Sequence, residues 1–174
     1  THKAFGAWTG AVGLQIGERT FEAIGDEAFV PRTKTRSQGL FVVEQAQWDA
    51  FHLDLGARID RVRTDAIGNP RRNFAPLTLS IGALWNIDEH WRVSANLDRA
   101  ERAPAEEELY ADGPHAATGS YEVGNADFDE ERANQAEIGL HFHNDRFDAK
   151  ASVYKTRFDG FVYLQDTGTF TPPE

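Results

Sequence analysis

Residues 51–60 read FHLDLGARID. Phe51, Leu53, Leu55, Ala57 and Ile59 fall on one side of an extended chain, and His52, Asp54, Gly56, Arg58 and Asp60 on the other. A period of two marks a β-strand with one apolar and one polar face, because successive side chains point to opposite sides. A helix would instead repeat its apolar residues every three or four positions. The same alternation recurs outward in both directions. It runs through Trp8, Gly10, Val12, Leu14 and Ile16, and through Leu77, Leu79, Ile81, Ala83 and Trp85. It returns in Trp91, Val93, Ala95 and Leu97, in Ala136, Ile138, Leu140 and Phe142, and in Phe147, Ala149, Ala151 and Val153. A seventh, weaker strand spans Gly39 to Trp48, with Leu40/Val42 and Phe41/Val43 both eligible for the apolar face.

The connections alternate in length. Residues 48–51, 86–90 and 143–146 are tight turns, whereas 19–36, 64–73 and the stretch from Glu101 to Asn134 are long. An up-and-down antiparallel sheet has this form when one rim is trimmed and the other carries function. Strands of roughly ten residues exceed the usual five or six of soluble sheets and match a tilted crossing of a bilayer. Trp48, Phe51, Trp85, Trp91, Phe142 and Phe147 gather beside the tight turns, as an interfacial girdle requires. Periodicity alone leaves two readings open, a membrane barrel and a soluble barrel or sandwich.

The chain has 174 residues, a net charge of −10 and no cysteine. Acidity argues against a nucleic-acid partner, and the lack of thiols rules out a disulfide or a thiolate metal site. No apolar run is long enough for a membrane helix. The absence of methionine suggests an internal piece of a longer protein. No glycine-rich phosphate loop, nucleophile elbow or His-Glu-x-x-His is present, so an enzyme is not expected.

The stretch from Leu97 to Leu140 contains Arg102-Ala103-Pro104, Glu108-Leu109-Tyr110, Gly124-Asn125, Glu130-Glu131 and Asn134 through Gly139. These motifs, in this order and spacing, resemble the signature of TonB-dependent outer-membrane receptors. Residues 153–164, VYKTRFDGFVYL, are similar to the strand and outer loop that follow in that family. The stretch departs from the family pattern at Asp127-Phe128-Asp129, where a proline-containing turn is common. The resemblance implies an all-β fold, an antiparallel up-and-down transmembrane β-barrel, of which residues 1–174 are about seven strands. The plug domain and TonB box are absent from these residues. It also implies location in the outer membrane of a Gram-negative bacterium. The implied partners are the receptor's own plug, the inner-membrane TonB complex, outer-membrane lipid and a metal ion or small metal complex.

Within the family, the resemblance is nearest to the zinc-uptake receptors of Neisseria and relatives. That implies zinc as transported substrate, with no prosthetic group, and haem or another metal complex as the alternative. Without thiolates, zinc takes imidazole nitrogen and carboxylate oxygen. His115 falls on a histidine of the resembled loop, Asp112 stands three residues before it, and Glu122 follows. These three are the expected metal ligands, against the alternative of a solvated loop histidine. Residues 101–134 carry ten carboxylates and two arginines, a field that concentrates divalent cations at the mouth and repels anionic cargo. Helix formation is expected from Pro104 through the run of glutamates. His141 and His143 share a strand face with Glu137 at the tight-turn rim, where contact with the plug or polar lining is favoured over a metal site.

Overall fold

The computed structural model describes residues 1–25, 28–115 and 118–168. Its long strands are β1 (Trp8–Phe21), β2 (Thr33–Trp48), β3 (Phe51–Ala66), β5 (Leu77–Asn86), β6 (Trp91–Arg102), β9 (Glu131–His143) and β10 (Asp148–Asp159). They form one antiparallel sheet in the order β1-β2-β3-β5-β6-β9-β10, each strand beside its chain neighbour. A short β4 (Arg72–Phe74) adds to the upper end of β3. Between β6 and β9 lie a one-turn helix α1 (Glu106–Tyr110) and a hairpin of β7 (Asp112–His115) and β8 (Ser120–Val123). The expected strand number and up-and-down order are met. Among the described residues the seven strands form an open sheet and do not close a ring.

Register settles the ambiguous strand. Leu40 pairs with Leu14 and Ile59, and Val42 with Val12 and Ala57. Directly opposed residues share a face, so Leu40 and Val42 join the apolar side while Phe41 and Val43 face the polar one. Propagating the pairs carries this apolar face across all the long strands: Val42 and Ala57 lead to Leu79, and Leu55 through Ile81 and Leu97 to Ala136. Nothing covers it among the described residues: Leu14 is 68% exposed, Ile138 66% and Val153 78%. The apolar faces do not meet in a core.

Buried apolar residues gather elsewhere, at the long-loop rim. Leu109 and Tyr110 of α1 pack on Ala66 and Phe74, with Val62, Ala103, Ala126 and Phe128 around them. At the opposite rim, all four tryptophans lie on the apolar face. Trp8 stands edge-on to Trp48 at 6.1 Å, and Trp91 lies 4.7 Å from Phe142. Trp8 thus joins the expected girdle, beside a further tight turn at Phe5–Trp8 that Gly6 makes with φ +59°.

Two expected loops are shorter than the sequence suggests. β1 and β2 continue to Phe21 and Thr33, and β3 to Ala66. Here alternation of apolar residues stops but pairing does not. Glu18 sits opposite Arg36 and bonds its Nε at 2.9 Å, while Lys34 Nζ reaches the same carboxylate at 2.8 Å. Beyond the apolar band, backbone ladders with cross-strand charges carry the strands onward.

Candidate functional site

The acidic stretch is a folded cap. Pro104 is buried just before α1, and Ala105, at the helix N-cap, has no side chain able to accept a hydrogen bond. Glu108 serves instead by reaching back to accept the Ala105 N–H at 2.7 Å. The same carboxylate takes both terminal nitrogens of Arg102 at 2.8 Å. The Arg102 guanidinium, aided by the Ala105 N–H, holds Glu108 below the usual carboxylate range, although burial opposes the shift. Burial likewise raises the Tyr110 phenol, whose hydroxyl donates to the Pro70 carbonyl at 3.2 Å. Glu106 is buried and paired with Arg19 of β1, which ties α1 to a strand far from it in sequence.

Gly124 and Asn125 dock the far side of the cap. The Gly124 N–H donates to Ala111 O at 2.7 Å and the Asn125 N–H to Glu108 O at 2.9 Å. A Cβ on Gly124 would lie 2.7 Å from backbone atoms of Leu109 and Tyr110. The departure at Asp127-Phe128-Asp129 is accommodated by Arg72 of β4. Its guanidinium donates to the carbonyls of Ala126 at 2.5 Å and Phe128 at 2.8 Å, and lies 5.3 Å from the Phe74 ring centre. A clamp from a neighbouring connection thus fixes the turn that proline commonly stiffens.

The β7–β8 hairpin carries the expected metal ligands. His115 pairs with Ser120 and Gly113 with Glu122, so the side chains of His115 and Glu122 share a face. His115 Nδ1 lies 2.7 Å from Glu122 Oε1, and its ring stacks on Phe29 at 4.8 Å. Asp112 stands on the opposite face and accepts the Tyr121 hydroxyl at 3.0 Å. The structure therefore brings His115 and Glu122 together and turns Asp112 away from them.

At the tight-turn rim, on the polar face, β9 and β10 assemble a second group. His141 Nε2 lies 3.0 Å and His143 Nδ1 3.1 Å from the same oxygen, Asp148 Oδ2. Among the described residues this is where three nitrogen and oxygen donors of metal-ligating type converge, all within 4.8 Å of one another. Glu137, on the same face, lies farther along β9 opposite Asn96 and Tyr154. Sequence reading found the two histidines but not Asp148. The signal was the turn itself: a tight connection over 144–147 places His143 opposite Asp148.

Among solved structures, the chain is similar to one titled "Copper transporter OprC", at 17% identity and a TM-score of 0.35, covering 75% of this chain and 31% of that one. Residues 3–174 match the family described as TonB dependent receptor-like, beta-barrel, and the chain belongs to that family, whose members are transport proteins and not enzymes.

Proposed function

We propose that this chain forms part of the wall and outer cap of an uptake receptor in a Gram-negative outer membrane. It works with its own plug domain and draws energy from the inner-membrane TonB complex. Its cargo is a transition-metal ion held in a small complex. The observation that carries the cargo is the His115–Glu122 pair, one imidazole and one carboxylate at 2.7 Å within an acidic cap.

Two protein donors leave at least half of a four-coordinate sphere open. That vacancy suits a metal that arrives with ligands of its own. Zinc, the expectation from the resemblance, is one candidate, but imidazole with carboxylate also takes copper and nickel. Haem iron would use the imidazole while its propionates met the repulsion of the surrounding carboxylates. The apolar face across the long strands supports the membrane setting. A soluble binding module would need a second layer against it, and none exists among the described residues.

The test is metal-limited uptake by cells carrying the intact receptor, wild type against the double variant His115→Ala, Glu122→Ala. Zinc, copper and haem are supplied separately. Uptake of one metal source is expected to fall several-fold, with receptor level in the outer membrane unchanged. Equal uptake of all three sources by wild type and variant would overturn the assignment.

A further inference from the structure

We propose that His141, His143 and Asp148 form a transition-metal site on the polar face at the tight-turn rim, distinct from the loop cap. It takes a first-row divalent ion of the Cu2+, Ni2+ or Zn2+ type. β9 has 13 residues from Glu131 to His143. At about 3.3 Å per residue the group therefore stands roughly 40 Å from the cap end of that strand.

The geometry is close to that of a bound ion. In a tetrahedral site with metal–ligand bonds of about 2.0–2.1 Å, donors stand roughly 3.3–3.4 Å apart. Two of the three edges here, 3.0 and 3.1 Å, are already near that length. Both imidazoles aim a ring nitrogen at one carboxylate oxygen. A neutral imidazole carries its single proton on either nitrogen, so each ring can present the inward nitrogen as a lone pair by changing tautomer. The ion then replaces two N–H···O bonds with three coordinate bonds. Two nitrogens and one oxygen select borderline ions over Mg2+ and Ca2+, which require oxygen.

The surroundings leave room for a fourth ligand. The group lines a concavity of about 290 Å3, bordered by Asp88, Glu89, His90 and Arg92. Two cations stand beside the group, and neither is bonded to the Asp148 oxygen that both imidazoles share. Arg92 Nε donates to Asn86 at 2.8 Å, and Lys150 Nζ approaches the other Asp148 oxygen, Oδ1, at 4.0 Å. The rim is stiff, because Asp88 accepts the backbone N–H groups of His90 and Trp91 and the His143 N–H donates to His90 O. The existence of this site is independent of the cargo reading. Only its place on the transport path, where metal leaves the barrel wall rather than enters it, rests on the proposed function.

The test titrates the intact receptor in detergent with Cu2+ and separately with Mg2+, read by calorimetry and by electron paramagnetic resonance. The double variant His141→Ala, His143→Ala is expected to lose one Cu2+ event and its two-nitrogen coupling. The same event is expected to survive in His115→Ala, Glu122→Ala. Asp148→Asn, which keeps the side chain's shape but removes the anionic ligand, is expected to weaken it by at least the roughly 10–100-fold that loss of an outer-shell partner costs. The proposal is overturned if the event and spectrum persist unchanged in His141→Ala, His143→Ala or in Asp148→Asn, or if Mg2+ binds there as tightly as Cu2+. If instead the cap variant changes nothing in uptake while the rim variant loses its event, the cargo reading fails and this one stands.

Discussion

Glu108 is the residue on which the cap turns. It caps α1 from within and clamps Arg102 at the top of β6. Its folded pKa lies below its ordinary value. Its contribution to cap stability is therefore fully present above the ordinary carboxylate pKa and is lost as pH falls through the depressed one. The protection of the Ala105 and Leu109 amides, taken relative to the intrinsic exchange rate at each pH, is expected to fall on acidification from neutral pH through the carboxylate range. Glu108→Gln should give fast exchange already at neutral pH. Protection unchanged in both cases would show that the clamp contributes nothing.

At the scale of elements, the Gly124–Asn125 pair joins β8 to α1. A methyl at Gly124 meets main-chain atoms of Leu109 and Tyr110, which have no rotamer to change. Gly124→Ala is therefore expected to lift the helix from Ala66 and Phe74, at a cost of about 1–3 kcal/mol. Protease cleavage between β6 and β9 measures it, and wild-type resistance in the variant would refute the packing argument.

This region also marks the limit of what the sequence shows. The long strands are legible because each must keep one face apolar along its length, as from Phe51 to Ile59. The motif glycine at 124 was visible as a residue but not as a reason, since its partner is a backbone segment far along the chain. Arg72 and Arg19 were equally unreadable. Each is an ordinary arginine in a polar segment, and only the register of β4 and β1 brings it over the cap. His115 and Glu122 were singled out by residue type and by the resemblance, whereas the turning away of Asp112 follows from hairpin pairing, which the strand-like period of four residues is too short to reveal.

Across the whole molecule, facing decides function. Ile81 and Ser80 are neighbours on β5 with opposite surroundings. Ile81 lies in the apolar band between Leu55 and Leu97, while Ser80 lies on the polar face between Gly56 and Asp98. Ile81→Arg is expected to cost about 2–4 kcal/mol near the bilayer midplane and to lower the yield of assembled receptor in outer-membrane fractions. Ser80→Arg, set beside Asp98, should assemble as wild type. The reverse pattern would mean that the two faces have been assigned the wrong way round.

The confinement of every indole to one rim has an optical consequence. Indole emission, excited selectively at the red edge of absorption, samples a single level of the assembly and is blind to the cap, where no indole stands. Trp91, however, borders the same concavity as His141 and His143 from within the sheet, with its indole on the other face of the same wall. Paramagnetic Cu2+ lodged there should dim its fluorescence, whereas copper held only at the hairpin should leave the spectrum untouched. The protein thus carries its own reporter for which end of the wall is occupied.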